Sequence, residues 1–157
     1  MTPEDKKLLF VDLCGRLPYY PKCEMIDNLR VVNNEKNSSY ISTLFPKHIE
    51  LFSYHNNFII KPYLRPMSSM TEEEKEELKS KCIHTETEED WEGVRCDVWG
   101  IQILDKYDTR KWDNPIWPST INMDAIDWLN KNMFDYRGLI PKGLAIEVNE
   151  ENNPYKT

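Results

Sequence analysis

The sequence predicts an α+β fold in which a small antiparallel sheet, curling towards a barrel, is packed by two to three helices. Three observations carry this reading. A capped amphipathic segment opens the chain, short apolar stretches broken by turn signals fill residues 22–65, and two further helical patterns follow at 71–82 and 123–132. At 157 residues the chain is long enough for one domain with a substantial core. With 39% hydrophobic and 30% charged residues it lies outside the range of wholesale disorder. A single domain is expected over 1–148, with an acidic, irregular insert at about 83–100 and a loose tail at 149–157.

The first helix is expected over 3–14. Thr2 can cap it, Pro3 suits the first helical position, and Glu4 and Asp5 sit where the helix dipole favours anions. Leu8, Leu9, Val11, Leu13 and Cys14 give an apolar face, with Lys6, Lys7 and Asp12 on the other side. Gly15 is placed just past the end, and Leu17-Pro18 blocks continuation.

From Lys22 to Arg65 the reading is of strands: Glu24–Ile26, Leu29–Val32, Tyr40–Phe45, Ile49–Tyr54 and Phe58–Tyr63. Asp27-Asn28, Asn33–Asn37, Pro46-Lys47 and His55-Asn56-Asn57 separate them as turns. Phe45–Phe52 also fits a single helical turn, and Pro62 and Pro66 place the last segment at a sheet edge or its exit. Thr71 with Glu74 forms a capping box that starts a helix to about Cys82, with a thin apolar side of Met70, Leu78 and Cys82 that suits the surface. A strand at Gly100–Tyr107, a Trp- and Pro-bearing connection at Tyr107–Thr120, and a helix at Met123–Asn132 follow. Ile126, Trp128, Leu129 and Met133 form the apolar face of that helix. Asp135–Gly138 turns the chain, and Leu144–Val148 makes a short final strand.

Charge narrows the partners. Residues 71–97 hold eleven acidic and four basic side chains, which accounts for the whole net charge of −7 and leaves the remainder neutral. Broad grip on a phosphate backbone needs the opposite imbalance, so general nucleic-acid binding is not expected. Presentation of carboxylates in the pattern of a phosphate backbone is the sharper reading of the 71–82 helix. Lys75, Lys79 and Lys81 at spacings of three and four from its glutamates favour a solvated, ion-paired face.

Chemical motifs are sparse. The sequence holds no G-x-S-x-G, P-loop, G-x-G-x-x-G or H-E-x-x-H pattern, and only 5 glycines from which to build a phosphate cradle. Cys14, Cys23, Cys82 and Cys96 form no C-x-x-C, and Cys82-Ile83-His84 with Cys96 fits no zinc spacing, so the cysteines read as reduced and no metal or cofactor is expected. His48, His55 and His84 read as solvated loop histidines. Pairing Cys23 with His48 or His55 as nucleophile and base would require the sheet to bring them together.

Two groups of residues stand out as candidate binding sites. Asp135, Tyr136 and Arg137, beside a helix end, suit a phosphate or carboxylate held by a guanidinium. In the structural alternative Arg137 pairs with Asp135 or helix-end carbonyls, Tyr136 packs inward, and Gly138 takes a positive φ. Tyr19, Tyr63 and Arg65, in aromatic–proline segments, suit a groove for an extended peptide or a stacked base, or else close the end of a sheet. Trp91, Trp99, Trp112 and Trp117 read as a flap over the core.

Three blocks resemble phrases in small uncharacterised proteins of gut anaerobes and of their phages or integrated mobile elements. They are Asp12–Tyr19, Lys61–Glu74, and Asp127–Asn130 continuing through Phe134–Ile140 to Lys142–Ala145. Together they span about a third of the chain. The resemblance implies a viral or mobile-element setting and transfers no functional residue.

The charged start Met-Thr-Pro-Glu-Asp-Lys-Lys and the lack of an apolar run near 18 residues give the expectation of no secretory leader, no membrane span and a cytoplasmic location. The expected function is that of a non-catalytic binding or accessory protein acting on a protein partner. The alternative is an anti-defence protein that sequesters a nucleotide signal or blocks a host DNA-acting enzyme through its acidic surface. A small enzyme is third.

Overall fold

A computed structural model describes residues 1–32, 35–81, 88–89, 95–96 and 123–156; for 28–32, 35–38, 79, 88–89 and 95–96 it describes the backbone alone. The chain divides into two units, Met1–Pro66 with Asn130–Thr157 and Met67–Leu129. The fold is α+β, with four helices and a four-stranded mixed sheet among the described residues.

In the first unit, α1 (Pro3–Arg16) starts as expected, with Thr2 Oγ1 accepting the Asp5 N–H at 3.1 Å. Its end differs from expectation. Gly15 lies inside the helix, which passes into a 3-10 turn, Leu17–Tyr19. The left-handed residue that ends this run is Tyr20, at φ 52°, whose N–H reaches Leu17 C=O at 3.2 Å. The buried stripe also differs. It is Leu9, Asp12, Leu13 and Arg16, while Phe10, Val11 and Cys14 are exposed.

Strand β1 (Lys22–Val32) pairs antiparallel with β2 (Glu35–Thr43) and with β3 (Phe58–Leu64). The Asp27-Asn28 turn signal lies within β1, where the β1–β2 register shifts between Asp27 and Val31. An irregularity in one long strand answers the same local preference for a break. Ile49–Tyr54 is not a strand. Pro46 occupies the first position of α2 (Pro46–Tyr54), so the helical alternative for this segment holds, over more than one turn.

A short parallel strand, β6 (Ile146–Glu147), joins β3 at Tyr63 and Leu64, giving the order β2-β1-β3-β6. Among the described residues the sheet is therefore mixed and open: β2 and β6 lie at its two ends, and the barrel does not close. Nor is β3 an edge strand. Pro62 sits opposite Cys23, one residue before the pairing to β6 begins. Leu9 and Leu13 of α1 and Phe52 of α2 join Cys23, Met25, Phe58, Ile60 and Leu64 of the sheet in one buried cluster, with Leu44, Met133, Leu139 and Leu144 around them.

In the second unit, a 3-10 turn at Met67–Ser69 precedes α3 (Glu72–Ser80). The capping box forms: Thr71 N–H donates to Glu74 Oε2 at 2.9 Å, and Glu74 N–H donates to Thr71 Oγ1 at 3.2 Å. Met70 and Leu78 are buried, and Lys75 pairs with Glu72 at 2.6 Å. Two-residue strands β4 (Glu88–Glu89) and β5 (Arg95–Cys96) pair antiparallel. Helix α4 (Met123–Lys131) belongs to this unit up to Leu129, and Ala125, Trp128 and Leu129 are its buried hydrophobics. The expected strand at 100–107, the Trp-rich connection, the four tryptophans of the flap, and the Cys82–His84 group lie outside the described residues.

Residues 149–156, read from composition as a loose tail, fold into turns held by Asn149 and Asn152. They carry Tyr155 back to the sheet. Its hydroxyl accepts the Lys22 N–H at 3.1 Å and donates to Tyr63 C=O at 3.0 Å. Those two residues would form the next β1–β3 rung beyond Cys23 and Pro62, so the phenol bridges the ladder where the strands part. Burial pushes its pKa up. Tyr155→Phe leaves both backbone groups without this partner, and we expect a loss of about 1–3 kcal/mol in urea-induced unfolding with an unchanged slope.

Candidate functional site

The densest polar arrangement in the first unit begins with an i,i+4 pair on the inward stripe of α1. Asp12 and Arg16 are both fully buried. Arg16 Nε donates to Asp12 Oδ2 at 2.7 Å and Nη2 to Oδ1 at 3.0 Å, a two-pronged contact. The same Nη2 donates at 2.7 Å to Phe134 C=O, 118 residues away. Arg137 completes the group, with Nε 3.4 Å from Asp12 Oδ1. One carboxylate thus faces two guanidinium groups.

The segment after α4 is shaped to meet this pair. Met133 adopts φ 58°, a conformation that costs a non-glycine residue on the order of 1 kcal/mol. It is held on both sides: Arg65 N–H donates to Met133 C=O and Asp135 N–H donates to Arg65 C=O, each at 2.8 Å. Asp135 then uses both carboxylate oxygens, accepting Leu139 N–H and Ile140 N–H at 2.8 Å each. Tyr136 packs inward and donates to Asn130 Oδ1 at 3.1 Å. Its ring lies beneath the Arg137 guanidinium at 4.8 Å and near that of Arg16 at 5.5 Å. Gly138 takes φ 70°.

Asp135, Tyr136 and Arg137 are therefore brought together, in the way the structural alternative describes, with one change. Arg137 pairs with Asp12 and not with Asp135, whose two carboxylate oxygens are turned to the Leu139 and Ile140 N–H groups. The participation of Asp12, Arg16 and Asn130 was missed in the sequence. Asp12 reads as solvent-facing by apolar periodicity, yet its i,i+4 spacing to Arg16 is a signal that both belong to one stripe with Leu9 and Leu13. Chemically the arrangement is a buried ion-pair group with one carboxylate between two guanidinium groups, and among the described residues Arg16 Nη1 finds no hydrogen-bond partner. Arg137, its side chain 28% exposed, is the guanidinium through which the group meets solvent.

The other candidates have separate roles. Tyr63 is buried, which pushes its pKa up with Glu24 adding to the effect, and its carbonyl holds Tyr155. Tyr19 packs against the core cluster. The Arg65 guanidinium lies 4.2 Å from the centre of the Phe134 ring. Aromatic and cationic groups here close the end of the sheet by packing against residues of their own unit.

Cys23 is fully buried, with Sγ 3.8 Å from Pro21 C=O, and burial, aided by Asp12, pushes its thiol up to about 12. His48 is not a solvated loop residue. It is 5% exposed in the first turn of α2, and Nδ1 accepts the Phe45 N–H at 3.1 Å. Formation of α2 in place of a strand folds the ring back over its own N-terminus. His55 is exposed, and His84 lies outside the described residues. Among the described residues, no three His, Cys, Asp or Glu side chains are grouped to hold a metal, and no helix is long and apolar enough to cross a membrane. Comparison with known proteins returns no match to a family model, a curated protein or a solved structure.

Gly15 gives this site its first test. A Cβ there would stand 3.2 Å from Asn130 Nδ2, and Asn130 is 4% exposed and tethered by Tyr136. Ala in a helix interior ordinarily gains up to about 1 kcal/mol over Gly. Here we expect Gly15→Ala to be destabilising by about 1 kcal/mol in chemical denaturation, and the loss to shrink when Asn130 is also replaced by Ala.

Proposed function

We propose that this protein is a non-catalytic binding protein that acts on a protein partner through the open edge of its sheet, in the viral or mobile-element setting its sequence blocks imply. The observation that carries the reading is the edge strand β2. Ser39, Tyr40 and Ile41 are exposed in succession, with Tyr40 at 45% and Ile41 at 58%. Among the described residues no strand pairs with the outer side of β2. An edge strand presents a row of backbone donors and acceptors, and natural proteins blunt such edges with charges, prolines or bulges. The Ser39–Thr43 stretch carries none of these. It ends beside Phe45 and Tyr20, both exposed, whose rings stand 6.3 Å apart.

A partner segment in extended conformation fits this surface by strand addition: main-chain bonds supply affinity, and Tyr40 and Ile41 on alternate faces supply selectivity. The polar interior supports the same reading, since Asp12, Arg16 and Asp135 are engaged with one another or with backbone. On α3 and one residue past its end, Lys75 and Lys81 pair with Glu72 and Glu77, which favours a solvated helix over a carboxylate array.

The test is capture from host lysate by the tagged chain, read by mass spectrometry for proteins and small molecules. Ile41→Lys, checked for folding by circular dichroism, is expected to lose at least tenfold of a captured protein that Glu76→Lys retains. Loss with Glu76→Lys but not with Ile41→Lys transfers the function to the acidic surface. Recovery of a nucleotide in place of a protein overturns the proposal.

A further inference from the structure

We propose that His48 is a pH-operated latch on this surface, its protonation releasing the first turn of α2 and the Phe45–Tyr20 aromatic pair beside it. What the latch would regulate rests on the preceding reading; the latch itself does not.

The geometry is the return half of a capping box, with histidine at the third helical position and a phenylalanine cap that has no side-chain acceptor for the other half. Phe45 is the cap, Phe45 C=O accepts the His48 N–H at 2.9 Å, and His48 Nδ1 accepts the Phe45 N–H at 3.1 Å. Glu or Gln makes this return bond in the ordinary motif, and neither loses its acceptor near neutral pH. Histidine does. An Nδ1 that accepts carries no proton, so protonation there sets one donor against another and the cap bond is lost. The new positive charge would also stand at the positive end of the helix dipole.

The surroundings favour the neutral ring. Burial lowers its pKa, and Lys47, the neighbouring cation in α2, lowers it further; the Thr43 backbone carbonyl at the end of β2 acts in the opposite sense. From β1, Lys22 reaches the same end of β2, its Nζ 3.0 Å from Thr43 Oγ1. Lys6 of α1 binds the far end of α2, at Ser53 C=O and Asn56. The folded pKa thus lies below the ordinary value of about 6.5. The cap is intact above that value and is lost as pH falls through the folded one. The consequence reaches the surface because the His48 and Phe45 rings are 5.8 Å apart and the Phe45 and Tyr20 rings 6.3 Å.

Nuclear magnetic resonance of the full chain between pH 4.5 and 8 tests this without any partner. The His48 ring is expected to titrate below about 6.5, with the Phe45 amide and the Tyr20 ring protons shifting at the same midpoint. His48→Gln, which keeps an acceptor at the third position, should hold the Phe45 amide protected at every pH and abolish that shared transition. His48→Ala should lower Phe45 amide protection by about fivefold even at pH 8. A Phe45 amide that stays unmoved through the His48 titration overturns the proposal, as does a His48→Gln chain that keeps the wild-type transition. Either result leaves the partner-capture test untouched.

Discussion

A charge pair buried without a trace of solvent exposure obliges the surrounding chain to supply further partners. In this protein Asp12 and Arg16 set that obligation. Their i,i+4 spacing on α1 makes the pair local, but its completion is not: Arg16 needs the Phe134 carbonyl, and Asp12 is faced from its other side by Arg137. The turn after α4 is built to supply both. The strained Met133, the Arg65 backbone bridge, the Asp135 carboxylate on Leu139 and Ile140, and the Tyr136–Asn130 bond all fix residues 133–140 against α1 and the end of β3.

Local chemistry was legible wherever one residue decides the outcome. Thr2 and Pro3 start α1, Thr71 and Glu74 start α3, and Gly138 turns the chain with positive φ, all as their residue types dictate. Legibility failed where a distant partner decides. Gly15 looks like a helix terminator but serves close approach to Asn130, 115 positions on in the sequence. Asp12 looks solvent-facing until Arg16 and the turn at Phe134–Arg137 are in place. Asp27-Asn28 looks like a turn, yet pairing on both sides keeps β1 running and reduces the signal to a register shift.

The candidate site shows the same division. Asp135, Tyr136 and Arg137 were recognisable as a group because a guanidinium with a carboxylate and a phenol beside a helix end can hold an anion or tie down that end. Which task could not be read locally, since Asp12, the partner that engages Arg137, lies in the first helix. The feature that carries the functional proposal was legible only in part. Tyr40 and Ile41 belong to a segment read correctly as a strand, but their exposure follows from sheet order, which local pattern does not specify.

The clasp is tested most directly by a double-mutant cycle in urea, using Asp12→Leu, Arg16→Met and the double variant. Asp12→Leu strands Arg16 in the interior and is predicted to cost about 3–5 kcal/mol. Arg16→Met leaves Asp12 facing Arg137 alone and is predicted to cost less. The double variant is predicted to be more stable than the sum of the two losses implies. Single losses that simply add in the double variant, to within about 0.5 kcal/mol, would contradict the account and reduce Asp12 and Arg16 to independent packing residues.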